Sequence, residues 1–112
     1  GLFKKSAESK YPPAMYELAL FLEDEEPDSS FRLIEEASRK LYPKAIYKLG
    51  IYKRDGIGCQ ANAVESTRLL NKAGNLGYRK AYEELYKMKM NGIGVRKDIA
   101  QAKFYLEKAK KL

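Results

Sequence analysis

The residues able to do chemistry are few. Cys59 is the only cysteine, histidine is absent, and five of the six residues Glu23–Asp28 are acidic. The triplet Gly-Ile-Gly occurs at 56–58 and again at 92–94. Without histidine, no His-dependent triad, imidazole proton shuttle or His-type zinc site can be assembled. Cys59 sits beside Gly58 with no histidine to take its proton, so nothing marks it as a nucleophile. The acidic run lacks the alternating spacing and central glycine of a calcium loop, and reads as a solvated turn with acids favoured at the start of a helix. No carboxylate pair has neighbours that would raise a pKa. The glycine triplets fail as phosphate cradles, because that chemistry wants a Gly-rich loop after a strand and a Lys-Ser/Thr pair entering the helix. No catalytic residue, metal ligand or cofactor site follows from the sequence.

The elements that carry these triplets explain them better. Gly92 lies 36 residues after Gly56, and the same offset aligns the surrounding sequence without a gap. Ala45 falls on Ala81, Leu49 on Leu85, Asn62 on Asp98, Leu70 on Leu106 and Ala73 on Ala109. Upstream, Ala14, Leu18, Ile34 and Ala37 join the same columns if five residues are missing from the intervening loop. Tyr11, Tyr42 and Tyr78 share one more column. A fixed period of this length is the signature of a repeat array. The divisions are a truncated leading unit over 1–13, with the character of a second helix, and repeats over 14–44, 45–80 and 81–112.

Each repeat reads as two helices. The first spans Ala14–Leu22, Ala45–Arg54 or Ala81–Met90, with apolar residues three and four apart, such as Ala45, Leu49 and Tyr52, on one face. Asn62 and Asp98 each precede a Glu or Gln by three positions and mark the N-caps of the second helices. Pro27 suits the first position of the earliest one. Gly56, Gly58, Gly92 and Gly94 then supply the positive φ angles of tight connections between paired helices. The fold is all-α: a right-handed α/α solenoid of about seven helices.

The segments "AIYKLGIYKRDGIG" and "NGIGVRKDIAQAKFYLEKA" carry the pattern A…LG…GxGx…D…A…Y…KA and resemble the Sel-1-like repeat, a relative of the tetratricopeptide repeat. The period of 36 also fits this family better than the tetratricopeptide period of 34. The resemblance is strongest over residues 45–112. It implies a superhelix whose first helices line a concave face, and a non-catalytic adaptor that scaffolds protein complexes. Two departures stand out. The first repeat has no GxG, and Tyr86 occupies a column that holds Ala19 and Gly50, where a large ring is expected to push the third helix pair apart or mark an array end. Disulfide-bearing secreted relatives need paired cysteines, which are absent.

Two surfaces compete as binding sites. Tyr16, Leu20 and Glu23, then Tyr47, Ile51 and Arg54, then Glu83, Lys87 and Met90 form stripes on the first helices, offset from the Ala-Leu face. Tyr and Arg dominate protein interfaces, so Tyr16, Leu20, Tyr47, Ile51, Arg54 and Lys87 are the candidate partner groove. Packing against a neighbouring helix is the competing role for these side chains. The rival surface is basic. The net charge is +7, and Arg96, Lys97, Lys103, Lys108, Lys110 and Lys111 crowd the last repeat. Lysines in a last helical turn also favour the helix electrostatically without any partner. The expected function is a protein-binding scaffold. An RNA- or ribosome-associated module is the alternative, and a third option is a regulatory region of an enzyme encoded outside residues 1–112. Both ends are expected to be cut from a longer array, since solenoids need polar caps. No apolar stretch is long enough to span a membrane. The lone cysteine fits a reducing, cytoplasmic setting, with a leader outside this sequence left open.

Overall fold

The computed structural model describes residues 11–112, so the expected leading helix of 1–13 falls almost wholly outside the described residues. Six helices follow: α1 (Pro12–Leu22), α2 (Pro27–Arg39), α3 (Pro43–Asp55), α4 (Ala63–Asn75), α5 (Arg79–Asn91) and α6 (Ile99–Lys110). Each packs on the next in sequence, and α1 also touches α3. The result is an elongated slab of 46 × 28 × 17 Å. This is the stacked helix-pair architecture that the periodicity predicts.

The first helices begin two residues before the expected alanines. Tyr11 and Tyr42 are held extended by the proline that follows them, and that proline then opens the helix at its first position. Tyr78 takes the same conformation ahead of Arg79. The second helices start as expected. The side chains of Asn62 and Asp98 accept from the backbone N–H of Glu65 and Gln101, both at 3.0 Å. Their own N–H groups do not meet the Glu or Gln side chain. They donate to Lys53 O at 2.6 Å and Lys89 O at 2.8 Å, closing each loop onto the end of the preceding first helix.

Gly56 and Gly92 end α3 and α5 at φ 72° and 70°. Only glycine adopts that left-handed conformation without cost. Gly58 has a second reason for lacking a side chain. A methyl group there would meet the Pro27 carbonyl and stand 2.6 Å from Phe31 Cβ. The connection from α2 to α3 is less well served. Leu41 holds φ 60°, where the equivalent Gly77 holds 97° between α4 and α5.

The core runs the length of the array through Ala19, Ile34, Ile46, Leu49, Tyr52, Leu70, Ala73, Leu85, Met88 and Tyr105. Met15, Ala37 and Ala45 form a smaller cluster at the first pair. Gly50 admits Leu70, whose Cγ would lie 2.9 Å from an added Cβ. In the third repeat Tyr86 stands in that column half-buried against the core, and Leu106, aligned with Leu70, is only half-buried.

Candidate protein-binding face

The N-cap tyrosines of α3 and α5 each lie beside the first helix of the preceding repeat. The Tyr16 ring meets Tyr42 edge-on at 5.9 Å between centroids, and Tyr47 meets Tyr78 edge-on at 5.2 Å. Edge-to-face pairs at such separations add to the stabilisation of simple burial. The two pairs are repeat-equivalent, so the face carries an aromatic band from α1 to α5. All four tyrosines are half-buried. Burial pushes the Tyr16 phenol up to about 12, with Tyr78 the next contributor. Burial followed by the Glu84 carboxylate raises Tyr47. Both hydroxyls therefore stay protonated across the physiological range and can donate as well as accept hydrogen bonds.

The other stripe residues divide by role. Leu20 and Ile51 are half-buried and Lys87 is exposed. Arg54 is not open to solvent: its side chain is 14% exposed and fully engaged. Its Nε and Nη2 donate to Asp55 at 2.9 and 3.1 Å, and Nη1 donates to Glu84 Oε1 at 2.5 Å. Arg54 thus clasps α3 to α5 and positions the band rather than offering a free cation. Of the remaining stripe members, Glu83 and Met90 are half-buried.

Glu23 departs from the solvated-turn reading. It accepts from the Tyr52 hydroxyl at 2.8 Å, and Tyr52 is completely buried. Ser30 Oγ lies 2.8 Å from that hydroxyl and donates to Ala19 O at 2.7 Å. Lys48 Nζ stands 3.8 Å from the same carboxylate oxygen. The network joins α1, α2 and α3 beneath the band. Its one sequence signal is the serine column, Ser30 and Ser66, at a position where a helix pair otherwise buries apolar side chains.

The basic residues of the last repeat differ in their surroundings. Arg96 and Lys97 lie in the α5–α6 loop, and Lys103 and Lys111 are exposed on or beyond α6. Lys108 sits over the Phe104 and Tyr82 rings at 5.0 and 5.2 Å. Helical geometry sets Lys103 and Lys108 about 140° apart around α6. Lys110 faces Glu107 at 3.5 Å. Cys59 Sγ is 3.5 Å from Tyr52 O, and burial pushes its thiol up, which disfavours the reactive thiolate.

The sequence model of the Sel1 repeat matches residues 12–38, 43–78 and 87–112. The chain belongs to the Sel1 repeat family. Proteins of this family generally serve as protein–protein interaction modules, and the repeat is typically a non-catalytic fold. Two solved structures share the architecture. A Sel1 repeat protein from Oxalobacter formigenes superposes with a TM-score of 0.85 at 23% identity, over 98% of this chain and 88% of that one. The protective antigen c5321 of uropathogenic Escherichia coli, which displays an SLR fold, gives 0.83 at 25% identity over 97% of this chain. This chain spans 24% of that antigen's length. No curated protein matches at a significant level. Among the described residues no helix is long and apolar enough to cross a membrane.

Proposed function

We propose that this Sel1 repeat array is a non-enzymatic adaptor that binds a protein partner through the face of its first helices, concave in arrays of this kind. The observation that supports the reading is the tyrosine band Tyr16–Tyr42 and Tyr47–Tyr78. Half-buried tyrosines offer rigid apolar area together with a hydroxyl at little entropic cost, the combination that anchors protein interfaces. Leu20 and Ile51 extend the apolar area, Arg54 holds its far edge and Lys87 supplies a free cation at the rim.

Capture of partners from native lysate, with and without nuclease, tests the reading when run on wild type, Tyr16→Ala, Tyr47→Ala and Lys87→Glu. The expected outcome is a nuclease-resistant protein set that the tyrosine variants lose while helicity by circular dichroism is kept. Unfolding by both tyrosine substitutions, with the set retained by Lys87→Glu, would assign the band to packing alone. The exposed Arg96, Lys97, Lys103 and Lys111 support RNA as the second reading. Binding of that kind weakens steeply between about 50 and 200 mM salt.

A further inference from the structure

Away from the tyrosine band, an open groove of about 530 Å³ lies where the start of α4 meets the α5–α6 loop. Its lining combines the aliphatic Ala63, Val64 and Val95 with the cations Arg68, Lys89 and Arg96. Val64 is 82% exposed, an unusual position for an apolar side chain. Arg68 pairs with Glu65, whereas Lys89 and Arg96 meet no carboxylate among the described residues. The groove therefore offers apolar surface and positive charge together.

The equivalent place one repeat earlier shows what such a groove holds. Counting back 36 residues, Ala63 becomes Pro27, Thr67 becomes Phe31, Arg68 becomes Arg32, Lys89 becomes Lys53 and Gly94 becomes Gly58. There the Phe31 ring fills the space. It packs against the core, its Cβ abuts Gly58, and Lys53 Nζ sits over its face at 5.4 Å. At the later junction Thr67 is too short to reach, its hydroxyl turned back to Ala63 O at 3.0 Å. Gly94 has the Arg54 stem as its nearest neighbour, 3.3 Å from an added methyl, and no aromatic ring stands against it as Phe31 stands against Gly58.

We propose that this groove is a second docking site, which takes an aromatic side chain from an acidic peptide segment of a partner protein. The chain's own Phe31 is the pattern for the anchor, with Lys89 placed to cover the ring as Lys53 does. The unpaired Lys89 and Arg96 select carboxylates on either side of it. An aliphatic lining favours a peptide over a nucleic acid, which would call for aromatic platforms to stack its bases. The site is independent of the tyrosine band and stands whether or not the band binds a partner.

The probe is a fluorescein-labelled peptide of sequence Glu-Asp-Phe-Glu-Asp, titrated by fluorescence anisotropy. Wild type is expected to bind it saturably and the Phe→Ala peptide at least about tenfold more weakly, the factor expected for losing one buried aromatic side chain. Thr67→Phe, which fills the groove as Phe31 does, should abolish binding with the melting curve intact. Thr67→Ala should retain it. If Thr67→Phe fails to fold, the half-buried Lys89→Glu and the exposed Arg96→Glu decide, with loss of binding expected. Tyr16→Ala and Tyr47→Ala should leave the titration unchanged, which separates this site from the band. Absence of saturable binding, equal binding of the Phe→Ala peptide, or full binding by Thr67→Phe and the charge-reversed pair overturns the proposal. Tighter binding of an oligouridylate, abolished by Thr67→Phe, overturns it in favour of nucleic acid.

Discussion

The junction between the first and second repeats and the junction between the second and third have the same helix order and differ in what fills them. At the first, Phe31 closes the space beside Gly58, the Tyr52 hydroxyl donates to Glu23, and Ser30 Oγ lies 2.8 Å from that hydroxyl. At the second, Thr67 leaves the groove open, Met88 replaces the tyrosine, and Ser66 Oγ is buried with no partner. Two or three side chains thus separate a sealed seam from an open, positively charged one in the same order of helices. The first junction reads as structural and the second as available for binding.

The largest test of that contrast is at the glycines. Gly58→Ala adds left-handed strain of about 1–2 kcal/mol to a collision with the Pro27 carbonyl and Phe31, for a total loss of roughly 3 kcal/mol or more. Gly94→Ala carries the same strain, but its nearest neighbour is the flexible Arg54 stem at 3.3 Å, so the loss should stop near 1–2 kcal/mol. Urea denaturation of the pair measures the difference, and equal losses would dissolve the contrast.

The serines come next. Ser30→Ala strands the Tyr52 hydroxyl with one partner fewer and should cost about 1–3 kcal/mol. Ser66→Ala removes an orphaned oxygen and should be neutral or slightly stabilising, within about 0.5 kcal/mol. The αL positions give a change of opposite sign. Leu41→Gly relieves strain and should raise stability by up to about 1 kcal/mol, while Gly77→Leu should lower it by about 1–2 kcal/mol.

The smallest effect is with pH. Burial raises Tyr52, and raises Tyr16 to about 12, above the ordinary value of 10. Above pH 10 the unfolded chain loses these protons first, so it binds fewer than the folded chain and stability falls as pH rises. The contribution is complete below pH 10 and is lost as pH climbs through the raised folded values. Between pH 9 and 11, about one unit either side of the ordinary value, the melting temperature of wild type should fall more than that of Tyr16→Phe.

What could be read in advance was local. The turn glycines and the Asn62 and Asp98 caps each depend on residues within a few positions of one another, and the period is a comparison of such local patterns. The starts of the first helices were displaced because the repeat columns anchor on alanine, while Pro12 and Pro43 fix the true first turn two residues sooner. Glu23 looked like one acid of a solvated run because its partner, Tyr52, is 29 residues away. Arg54 looked like a free interface residue because Glu84 is 30 residues away. The open groove is invisible in either repeat alone. It emerges from the exchange of Phe31 for Thr67 once the two junctions occupy equivalent places in space.

The bonds from the Asn62 and Asp98 amides to Lys53 O and Lys89 O anchor both ends of each connecting loop within its own repeat. Between the glycine triplet and the cap lie Cys59-Gln60-Ala61 in one loop and Val95-Arg96-Lys97 in the other. These three positions differ in polarity, charge and size, yet both loops close on the same carbonyl. Evolution can therefore rewrite the edge of such an array one triplet at a time, leaving the frame that displays it untouched. A designer could do the same by exchanging these tripeptides between repeats to move a recognition surface along the solenoid.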